Sequence, residues 1–387
     1  MLLLKNAVVY SPAPLGRADI LVAGGRVERV AADIRPPAEE CDLADVSSLV
    51  AVPGLIDSHV HIVGGGGEGG YATRTPELVM SDAVRGGITT VVGCLGTDGV
   101  TRSLEALLAK ARGLDEEGIS ASIYTGFYAV PTLTLTGSVE RDLLLVDKVV
   151  GVGEVALSDH RSTQPTFDEF VRLAAEARRG GILSGKAGVV NVHMGDGRRG
   201  LSMLRRVVEE TEIPAAQFVP THVNRNPTLF DEGVTWAKGG GLVDFTTSTV
   251  PAWLEQGEVK CSRGLRAMLE AGVGVSQITF TSDGQGSMPA FDAGGRFVRL
   301  DIGRVTSLLA EVRDAVLVER VPLETALQVA TSNPARILKL RGKGWIAAGA
   351  DADITLLDPR SLEVRGVLAR GRWLMREGDV LVKGTFE

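Results

Sequence analysis

Four of the five histidines in the chain lie where buried-type, β-rich runs of the sequence end. His59 and His61 form a His-Val-His motif, and alternate side chains on a strand point to one face, so both imidazoles can aim at one point. His193 ends the run VVNVH, His222 ends the run FVPTH, and Asp283 ends the run TFTSD. Neutral imidazole and carboxylate are ligands of zinc and related divalent ions. The pattern therefore predicts a metal site at neighbouring strand ends.

The elements that must position these residues follow a regular rhythm. Short apolar runs alternate with longer amphipathic stretches, such as SLEALLAKARGLDEEG, TFDEFVRLAAEARRGG and LSMLRRVVEETE, which have apolar residues at helical spacing. The alternation predicts parallel strands joined by helices, and we expect a (β/α)8 TIM barrel, whose active sites lie at the carboxyl ends of its strands. The eight runs, in chain order, are SSLVAVPG, GITTVVGCLG, SASIYTGFYAV, KVVGVGEVAL, AGVVNVHMGD, AQFVPTHVN, GLVDFTTST and ITFTSDG.

The two ends of the chain have a different sequence pattern. Residues 2–31 contain short β-rich runs between Gly and Pro turns, and DADITLLDP, LEVRGVLARGR and DVLVKGTFE repeat this pattern near the C-terminus. We expect residues 1–53 plus 341–387 to form a small β-sandwich domain and residues 54–340 to form the barrel. A barrel of about 250 residues leaves room for one such domain in this chain.

Composition excludes several classes of function. Hydrophobic residues make up 44% and charged residues 23%, which is typical of soluble globular proteins. The net charge of −7, without a basic run, argues against nucleic acid or an anionic membrane as a partner. The GxSxG and GxxxxGK[ST] patterns are absent from the sequence, which argues against a serine acyl-enzyme hydrolase and a phosphate-loop ATPase.

The cysteines and the apolar segments bear on cellular location. Cys41, Cys94 and Cys261 are odd in number and widely spaced, so they fit neither a disulfide framework nor a zinc ribbon. The first residues lack the long apolar core of a signal peptide, and no run approaches the roughly 20 apolar residues of a membrane span. We expect a cytoplasmic location.

Two long segments carry a resemblance to a known family. PGLIDSHVHIVGGGGEGG resembles the opening motif of the amidohydrolase superfamily, and SNPARILKLRGKGWIAAGADADITLLDP resembles its closing segment. The strings SDHRS, THVNRN and SDGQGS are more specific, and with them nearly the whole chain is similar to the bacterial isoaspartyl (β-aspartyl) dipeptidases. The resemblance implies a zinc metallopeptidase that hydrolyses the isopeptide bond of a small β-aspartyl dipeptide, and it implies a homo-oligomer.

The resemblance also implies two Zn²⁺ ions per chain. It assigns one ion to His59, His61 and Asp283, and the other to His193 and His222.

The ligand that bridges the two ions departs from the family. The bridging ligand of the family is a carboxylated lysine at the end of the fourth strand, and alignment on ALSDHRS places Glu154 there. Lys148 lies six residues upstream, at the start of the run, too far to reach the same point. A buried carboxylate without a cation is costly. We therefore expect Glu154 to bridge the metals, although its arm is shorter.

The substrate that the resemblance implies carries one ammonium group and two carboxylates, and guanidinium groups bind carboxylates through paired hydrogen bonds. By resemblance, Glu68 binds the ammonium group and Arg161 and Arg225 bind the carboxylates. His160, in the loop after the fourth run, is expected to position a neighbour rather than to bind metal. The further substrate-binding residues that the resemblance implies are Gly66, Thr97, Tyr128 and Ser287.

The resemblance implies a mechanism as well. Asp283 takes a proton from the attacking water and delivers it to the leaving amine, and Tyr128 hydrogen-bonds the developing oxyanion. Two alternatives remain open from the residues. A cyclic-amide hydrolase of the hydantoinase or dihydroorotase kind would share the barrel and metals but would not need Glu68, Arg161 and Arg225 together. A non-catalytic, metal-free homologue would keep only the scaffold.

Overall fold

The structure, a computed structural model, describes residues 1–37, 40–291 and 297–387. Its strands are β1 (Leu2–Ser11), β2 (Ala13–Ala23), β3 (Arg26–Ala31), β4 (Asp42–Asp45), β5 (Val50–Pro53), β6 (Leu55–Val60), β7 (Ile88–Gly93), β8 (Ser120–Thr125), β9 (Val149–Leu157), β10 (Val189–Met194), β11 (Phe218–Thr221), β12 (Val243–Thr246), β13 (Ile278–Thr281), β14 (Ser287–Phe291), β15 (Phe297–Ile302), β16 (Ile354–Leu357), β17 (Val364–Ala369), β18 (Arg372–Arg376) and β19 (Asp379–Val380).

Helices follow most of the central strands. They are α1 (Met80–Arg85), α2 (Leu104–Glu117), α3 (Val139–Leu145), α4 (Phe167–Ser184), α5 (Ser202–Glu210), α6 (Pro227–Lys238), α7 (Pro251–Glu255), α8 (Cys261–Glu270), α9 (Ser307–Leu317), α10 (Leu323–Gln328) and α11 (Ser332–Ile337).

Strands from both chain ends share one nine-stranded sheet. The order is β19-β18-β17-β16-β5-β1-β2-β3, and β4 pairs with β1. The predicted strands in residues 2–31 are confirmed as β1 to β3, and the C-terminal runs as β16, β17 and the two-residue β19. Inward side chains of seven of these strands, among them Leu4, Ile20 and Ile354, form one buried apolar cluster. The chain ends thus fold together, as their common β texture predicted.

The middle of the chain is a mixed α/β fold. Strands β6 to β11 form a six-stranded parallel sheet in sequence order, and β12 and β13 form a parallel pair. The amide of Val223, after β11, donates to the carbonyl of Asp244 in β12 at 3.2 Å. Beyond β13, Gly284 bridges in parallel to Val60 of β6, and its carbonyl accepts from the amide of His61 at 2.9 Å. The predicted alternation of parallel strands and helices is confirmed.

The first predicted run lies in a different sheet from the one expected. SSLVAVPG was expected to be the first strand of the barrel, but its strand β5 pairs with β1 and β16 in the nine-stranded sheet. The parallel sheet begins one residue after Gly54, at β6. Both segments are fully buried, so hydrophobicity does not separate them. At Gly54 a side chain would lie 2.2 Å from Thr89 Oγ1, so only glycine fits the junction.

The three helices expected from apolar spacing are present as α2, α4 and α5. Ser103 caps α2 by accepting from the amide of Ala106 at 3.2 Å, and Thr166 and Glu169 form a reciprocal capping box at the start of α4. Helix α4 continues past the Gly180–Gly181 pair to Ser184. The glycines allow close packing there, since a Cβ on Gly181 would lie 2.7 Å from the carbonyl oxygen of Ala187.

Two further observations concern the helices and the cysteines. No helix in residues 1–37, 40–291 and 297–387 combines the length and the hydropathy that a membrane-spanning helix needs. Cys41, Cys94 and Cys261 are buried free thiols.

Candidate active site

The five predicted metal-binding residues of the strand ends come together at one end of the parallel strands. His59 lies within β6 and His61 directly after it, while His193 is the penultimate residue of β10. His222 follows β11 and Asp283 follows β13, and both have a left-handed backbone, with φ of 64° and 53°. Non-glycine residues adopt this conformation rarely, mostly where surrounding structure requires it. Here it turns both side chains away from the strand direction.

Glu154 lies at the centre of these side chains. One carboxylate oxygen, Oε2, is 3.1 Å from His193 Nδ1, 3.4 Å from His59 Nε2 and 3.7 Å from His222 Nε2. The other, Oε1, is 3.3 Å from His61 Nε2. The side chain is 1% exposed, so the carboxylate is surrounded by imidazoles rather than by water. Glu154 was expected at the end of the fourth strand, but β9 continues to Leu157.

A bulge in β9 directs Glu154 inward. Val152 pairs with Val190 and Val155 pairs with Val192, so Gly153 and Glu154 together face a single residue of β10. Gly153 has a φ of +146°, and a Cβ on it would lie 2.6 Å from the carbonyl oxygen of Asn191. Bulges next to active sites commonly re-aim a side chain in this way. The strand therefore adjusts its backbone to bring the short arm of glutamate to the site.

The donors fit divalent metal ions. Two ligands of one tetrahedral zinc, with bonds of about 2.0–2.2 Å, lie roughly 3.3–3.6 Å apart. The separations between Glu154 and the four imidazoles, 3.1–3.7 Å, match that spacing. Both ring nitrogens of His59 and Oδ1 of Asp283 are buried without a hydrogen-bond partner among the described residues. Such groups are costly unless a ligand satisfies them. The potential ligand groups are His59, His61, Cys94 and Glu154, and Glu154, His193 and His222.

The charge states of three of these side chains also suit a divalent metal ion. Burial lowers the pKa of His222, and His193 lowers it further, to about 3, so His222 is a neutral imidazole. Burial raises the pKa of Asp283, but His61 outweighs this and holds that pKa at about 2. The pKa of Glu154, which burial also raises, is brought well below its usual value by the imidazoles around it. His222 and the two carboxylates are therefore in the forms that bind metal. The pKa values of His59 and His61, which burial lowers, are raised well above the usual value by Cys94 and the neighbouring carboxylates, so these two imidazoles must lose a proton when metal binds.

Hydrogen bonds behind the imidazoles orient two of them. His193 presents Nδ1 to Glu154, and its Nε2 lies 3.0 Å from Asp159 Oδ2. His222 presents Nε2 to Glu154, and its Nδ1 lies 2.5 Å from Thr246 Oγ1. A metal-binding histidine usually has such a partner on its second nitrogen. Asp159 was not assigned from the sequence, and its place within the SDHRS string was the available signal.

Lys148 interacts with residues outside this cluster. Its ammonium group pairs with the Asp115 carboxylate and donates to the carbonyl of Ala121 at 3.0 Å. These partners lie at the opposite end of β8, where the strand begins. The expectation that Lys148 cannot replace the lysine of the family is therefore confirmed.

Glu68 faces the cavity with three polar neighbours. Its Oε1 accepts from Thr97 Oγ1 at 3.1 Å and lies 3.4 Å from Arg161 Nη1, and its Oε2 accepts from Ser287 Oγ at 3.0 Å. The loop that carries Glu68 needs glycine at Gly66, where φ is +73° and a Cβ would lie 2.6 Å from the carbonyl oxygen of Thr73. The structure thus brings Glu68, Thr97, Arg161 and Ser287 together.

The two predicted arginines differ in their present partners. Arg161 donates from Nη2 to Asp159 at 2.7 Å and from Nε at 3.0 Å, and it lies over the Tyr128 ring, 5.4 Å from its centroid. Arg225 lines the cavity, and its buried Nε has no partner among the described residues. Tyr128 Oη is 2.8 Å from His193 Nδ1. An arginine with an unpartnered Nε and a phenol in one cavity are suited to receive an anionic, polar ligand.

One cavity of about 570 Å³ is lined by the predicted substrate-binding residues, by Glu154 and by four of the five strand-end residues, whereas His59 is fully buried. The cavity is large enough for a small molecule. Residues of α7 and of the loop after it, including Trp253, contribute to its wall, and these were not predicted from the sequence. His160, expected to position a neighbour, is exposed and lines the same cavity.

Comparisons with known proteins agree with this geometry. A model of the amidohydrolase family matches residues 50–196 and 255–374. Among solved structures, the β-aspartyl dipeptidase of the keratin-degrading thermophile Fervidobacterium islandicum AW-1, in complex with β-Asp-Leu dipeptide, is 47% identical, with a TM-score of 0.91 and 98% of each chain covered. A second structure of β-aspartyl dipeptidase from that organism is 45% identical, with a TM-score of 0.89 and the same coverage.

Two more distant relatives are named D-hydantoinase. A D-hydantoinase of Streptomyces coelicolor is 26% identical over 93% of this chain and 86% of its own length. A D-hydantoinase structure is 19% identical, with a TM-score of 0.69 and coverage of 99% and 97%, and shows the fold alone.

Proposed function

The chain belongs to the amidohydrolase family, and we propose that it is a metal-dependent dipeptidase that hydrolyses the isopeptide bond of β-aspartyl dipeptides. The observation that carries the proposal is the placement of Glu68 and Arg225 beside a cluster of buried metal-type ligands in one cavity. Together they offer an anion for an ammonium group, a guanidinium whose Nε has no partner among the described residues for a carboxylate, and a place for a hydrolytic metal. The likeness to β-aspartyl dipeptidase structures over 98% of the chain supports the same assignment.

We assign two Zn²⁺ ions per chain to this site. His59, His61 and Asp283 would hold one ion, His193 and His222 would hold the other, and Glu154 would be the ligand shared between them. Bound there, the ions would supply an activated water as nucleophile and would polarise the amide carbonyl. The two potential ligand groups that share Glu154 support the count of two.

The side chains of the protein bind and orient the dipeptide. Glu68 takes the free α-ammonium group, and Thr97 and Ser287 hold its carboxylate in place through hydrogen bonds of 3.1 and 3.0 Å. Arg225 and Arg161 take the carboxylates, and Gly66 leaves room for the backbone of the loop to approach the ligand. Since the reacting carbonyl then lies beside the metal ligands, positioning contributes much of the rate.

Asp283 and Tyr128 handle the proton and the developing charge. Asp283, 3.0 Å from His61, accepts a proton from the attacking water and then donates it to the leaving α-amine, which departs as the C–N bond breaks. The Tyr128 hydroxyl, 2.8 Å from His193, donates to the oxygen of the attacked carbonyl as negative charge develops on it. The α-ammonium group held by Glu68 and the side-chain carbonyl belong to the same aspartyl residue, which accounts for selection of β-linked substrates.

We also propose the finer architecture and setting that the sequence predicts. The hydrogen bond from Val223 to Asp244 and the bridge from Val60 to Gly284 support closure of residues 54–340 into an eight-stranded TIM barrel. The apolar cluster shared by strands from both chain ends supports a β-sandwich-like domain of residues 1–53 plus 341–387. A homo-oligomer and a cytoplasmic location stay predictions, the second in keeping with three free cysteines.

A panel of substrates tests the proposed function. Zinc-loaded protein should cleave β-Asp-Leu and should not cleave α-Asp-Leu or N-acetyl-β-Asp-Leu, because the N-acetyl group removes the charge that Glu68 binds. Arg225→Ala should lower kcat/KM by about 100-fold or more, since a buried substrate carboxylate without its partner costs roughly 3–5 kcal/mol.

Arg179→Ala is the matched control, because Arg179 is 69% exposed and pairs with Glu140 outside the cavity. Equal cleavage of the free and N-acetylated dipeptides would contradict the role of Glu68. Preferred turnover of hydantoin or dihydroorotate would replace the proposal with a cyclic-amide hydrolase, and no turnover with metal bound would indicate a non-catalytic homologue.

A further inference from the structure

A buried thiol lies among the metal-type ligands. Cys94 directly follows β7, and its amide donates to the carbonyl of Val60 in the neighbouring β6 at 3.0 Å. Its Sγ is 3.8 Å from His61 Nδ1. The ligand atoms of Cys94, His59, His61 and Glu154 all lie within 4.8 Å of one another. None of the roles assigned above uses this sulfur.

The position of the thiol suits a direct bond to the metal. A zinc ion bonds thiolate sulfur at about 2.3 Å and imidazole nitrogen at about 2.0–2.1 Å, so the two donors lie roughly 3.6 Å apart in a tetrahedral site. The sulfur lies 3.8 Å from His61 Nδ1, whereas His61 Nε2 faces Glu154 and Asp283, so support for a shared ion comes from the four potential ligand atoms, which all lie within 4.8 Å of one another. Because β6 and β7 are adjacent parallel strands, the residue after β7 lies next to the His-x-His pair.

A second observation points to a missing cation at this position. The His59 side chain is fully buried, and both of its ring nitrogens lack a hydrogen-bond partner among the described residues. Asp283 Oδ1, 3.7 Å from His59, is likewise unpartnered. A thiol serving only as apolar filler would leave these groups unsatisfied. A cation held between them would bind one nitrogen of His59 and the oxygen of Asp283.

We propose that the Cys94 thiolate is a ligand of the metal ion that His59 and His61 hold. Binding forms a sulfur–metal bond, and the thiol proton leaves to solvent as the thiol becomes a thiolate. The thiolate adds a charged, soft ligand on the face of the site formed by β6 and β7, where glutamate has a shorter arm than a carboxylated lysine. The inference rests on the proposed function only in requiring a metal at this site, and it does not depend on the substrate.

The ligand also makes the two metal positions unequal. The position held by His59, His61 and Cys94 has a thiolate, whereas the position held by His193 and His222 has none within its potential ligand group. Thiolates favour zinc and other soft ions over hard ions such as magnesium. The first position should therefore retain its ion longer when a chelator is added.

Cobalt substitution tests the proposal by a readout other than activity. The wild-type protein loaded with Co²⁺ should show the intense near-ultraviolet charge-transfer absorption of a thiolate–cobalt bond. Cys94→Ser and Cys94→Ala should both lose this absorption. Cys41→Ser is the matched control, since Cys41 is a buried free thiol in the apolar cluster with Leu3 and Leu21, and it should keep the absorption.

The size of the loss in zinc affinity distinguishes a metal ligand from a residue that only orients a metal ligand. Competition with a chelator should show that Cys94→Ser weakens zinc binding at one position by more than about 100-fold, the upper range for loss of an orienting partner. A weakening of only about 10-fold, with cobalt absorption unchanged, would overturn the proposal. The wild-type spectrum decides the matter even if neither variant folds, because absence of thiolate absorption in cobalt-loaded protein contradicts it directly.

The test of the Cys94 ligand can fail or succeed independently of the test of the proposed dipeptidase function. Metal-loaded protein that cleaves β-Asp-Leu but has no thiolate absorption would refute the role of Cys94 and leave the dipeptidase assignment intact. Thiolate absorption without cleavage of any β-aspartyl dipeptide would refute the dipeptidase assignment and leave the role of Cys94 intact. Failure to bind any divalent metal would refute both.

Discussion

Glu154 is the residue at which this chain differs from the isoaspartyl dipeptidases that its sequence resembles, since they have a carboxylated lysine at this position. A carboxylated lysine carries its carboxylate at the end of a long arm, whereas the carboxylate of glutamate lies close to the backbone. Even so, the two oxygens of Glu154 reach all four strand-end histidines at 3.1–3.7 Å. A direct carboxylate ligand requires no carbon dioxide for its formation.

Substitution of Glu154 tests the bridging role. Glu154→Gln should reduce the metal content from two ions per chain to one or none, because the shared negative charge is lost, while the far-ultraviolet circular dichroism stays unchanged. Metal content is measured by atomic absorption after dialysis. Glu154→Lys should recover two ions only when bicarbonate is supplied, as carboxylation restores a bridging anion.

The wild-type protein provides the control for that experiment, since it should assemble both ions in bicarbonate-free buffer. Two tightly held ions and normal turnover in Glu154→Ala would refute the assignment, because another group would then bridge the metals.

At the scale of secondary structure, the bulge in β9 decides where Glu154 points. Two residues of β9 face one residue of β10, and Gly153 supplies a φ of +146° that L side chains rarely adopt. The strand therefore continues to Leu157 instead of ending at the site, and the carboxylate enters from the side of the strand.

Gly153→Ala tests the role of the bulge. A methyl group there would lie 2.6 Å from the carbonyl oxygen of Asn191, so the backbone must shift and carry Glu154 with it. We expect loss of at least one metal ion and a fall in the free energy of unfolding of about 1–3 kcal/mol. Metal analysis and urea denaturation measure the two effects.

Gly113→Ala is the matched control. Gly113 lies within α2, where an added methyl group meets nothing within 4 Å, so metal content should not change. Retention of both ions and of wild-type stability in Gly153→Ala would show that the bulge does not position Glu154.

For the whole molecule, the metal cluster joins strands that are distant in sequence. The ligands come from β6, β9 and β10 and from the segments after β11 and β13, so ions bound there hold both parts of the parallel framework together. An ion that binds only the folded protein stabilises it by about 2.7 kcal/mol at 100 times its Kd. Without the ions, the buried carboxylate and imidazoles must be satisfied by one another.

Removal of the metal should therefore lower thermal stability. For a chain of this size, about 2.7 kcal/mol corresponds to a fall in Tm of roughly 3 °C. Calorimetry at a fixed scan rate, before and after treatment with a chelator, measures the change, and added zinc should restore the original Tm. An unchanged Tm after complete, analytically verified loss of metal would contradict this account.

Much of the fold and of the site was determined by local sequence features. Strand-end histidines, the His-x-His motif and Asp283 predicted a metal cluster, because alternation on a strand and the common direction of parallel strands bring such residues together. Helices α2 and α4 lie where apolar spacing predicted them, and Ser103 and Thr166 cap their first turns through bonds to neighbouring residues.

Other features depended on tertiary contacts. Strands β5 and β6 are equally buried, and only pairing partners far along the chain put the first in the nine-stranded sheet and the second in the parallel one. Asp159 became a partner of His193, and Cys94 a neighbour of His61, because strands separated in sequence lie side by side. Composition and periodicity are local properties, whereas register, bulges and ligand distances arise only when the strands pair.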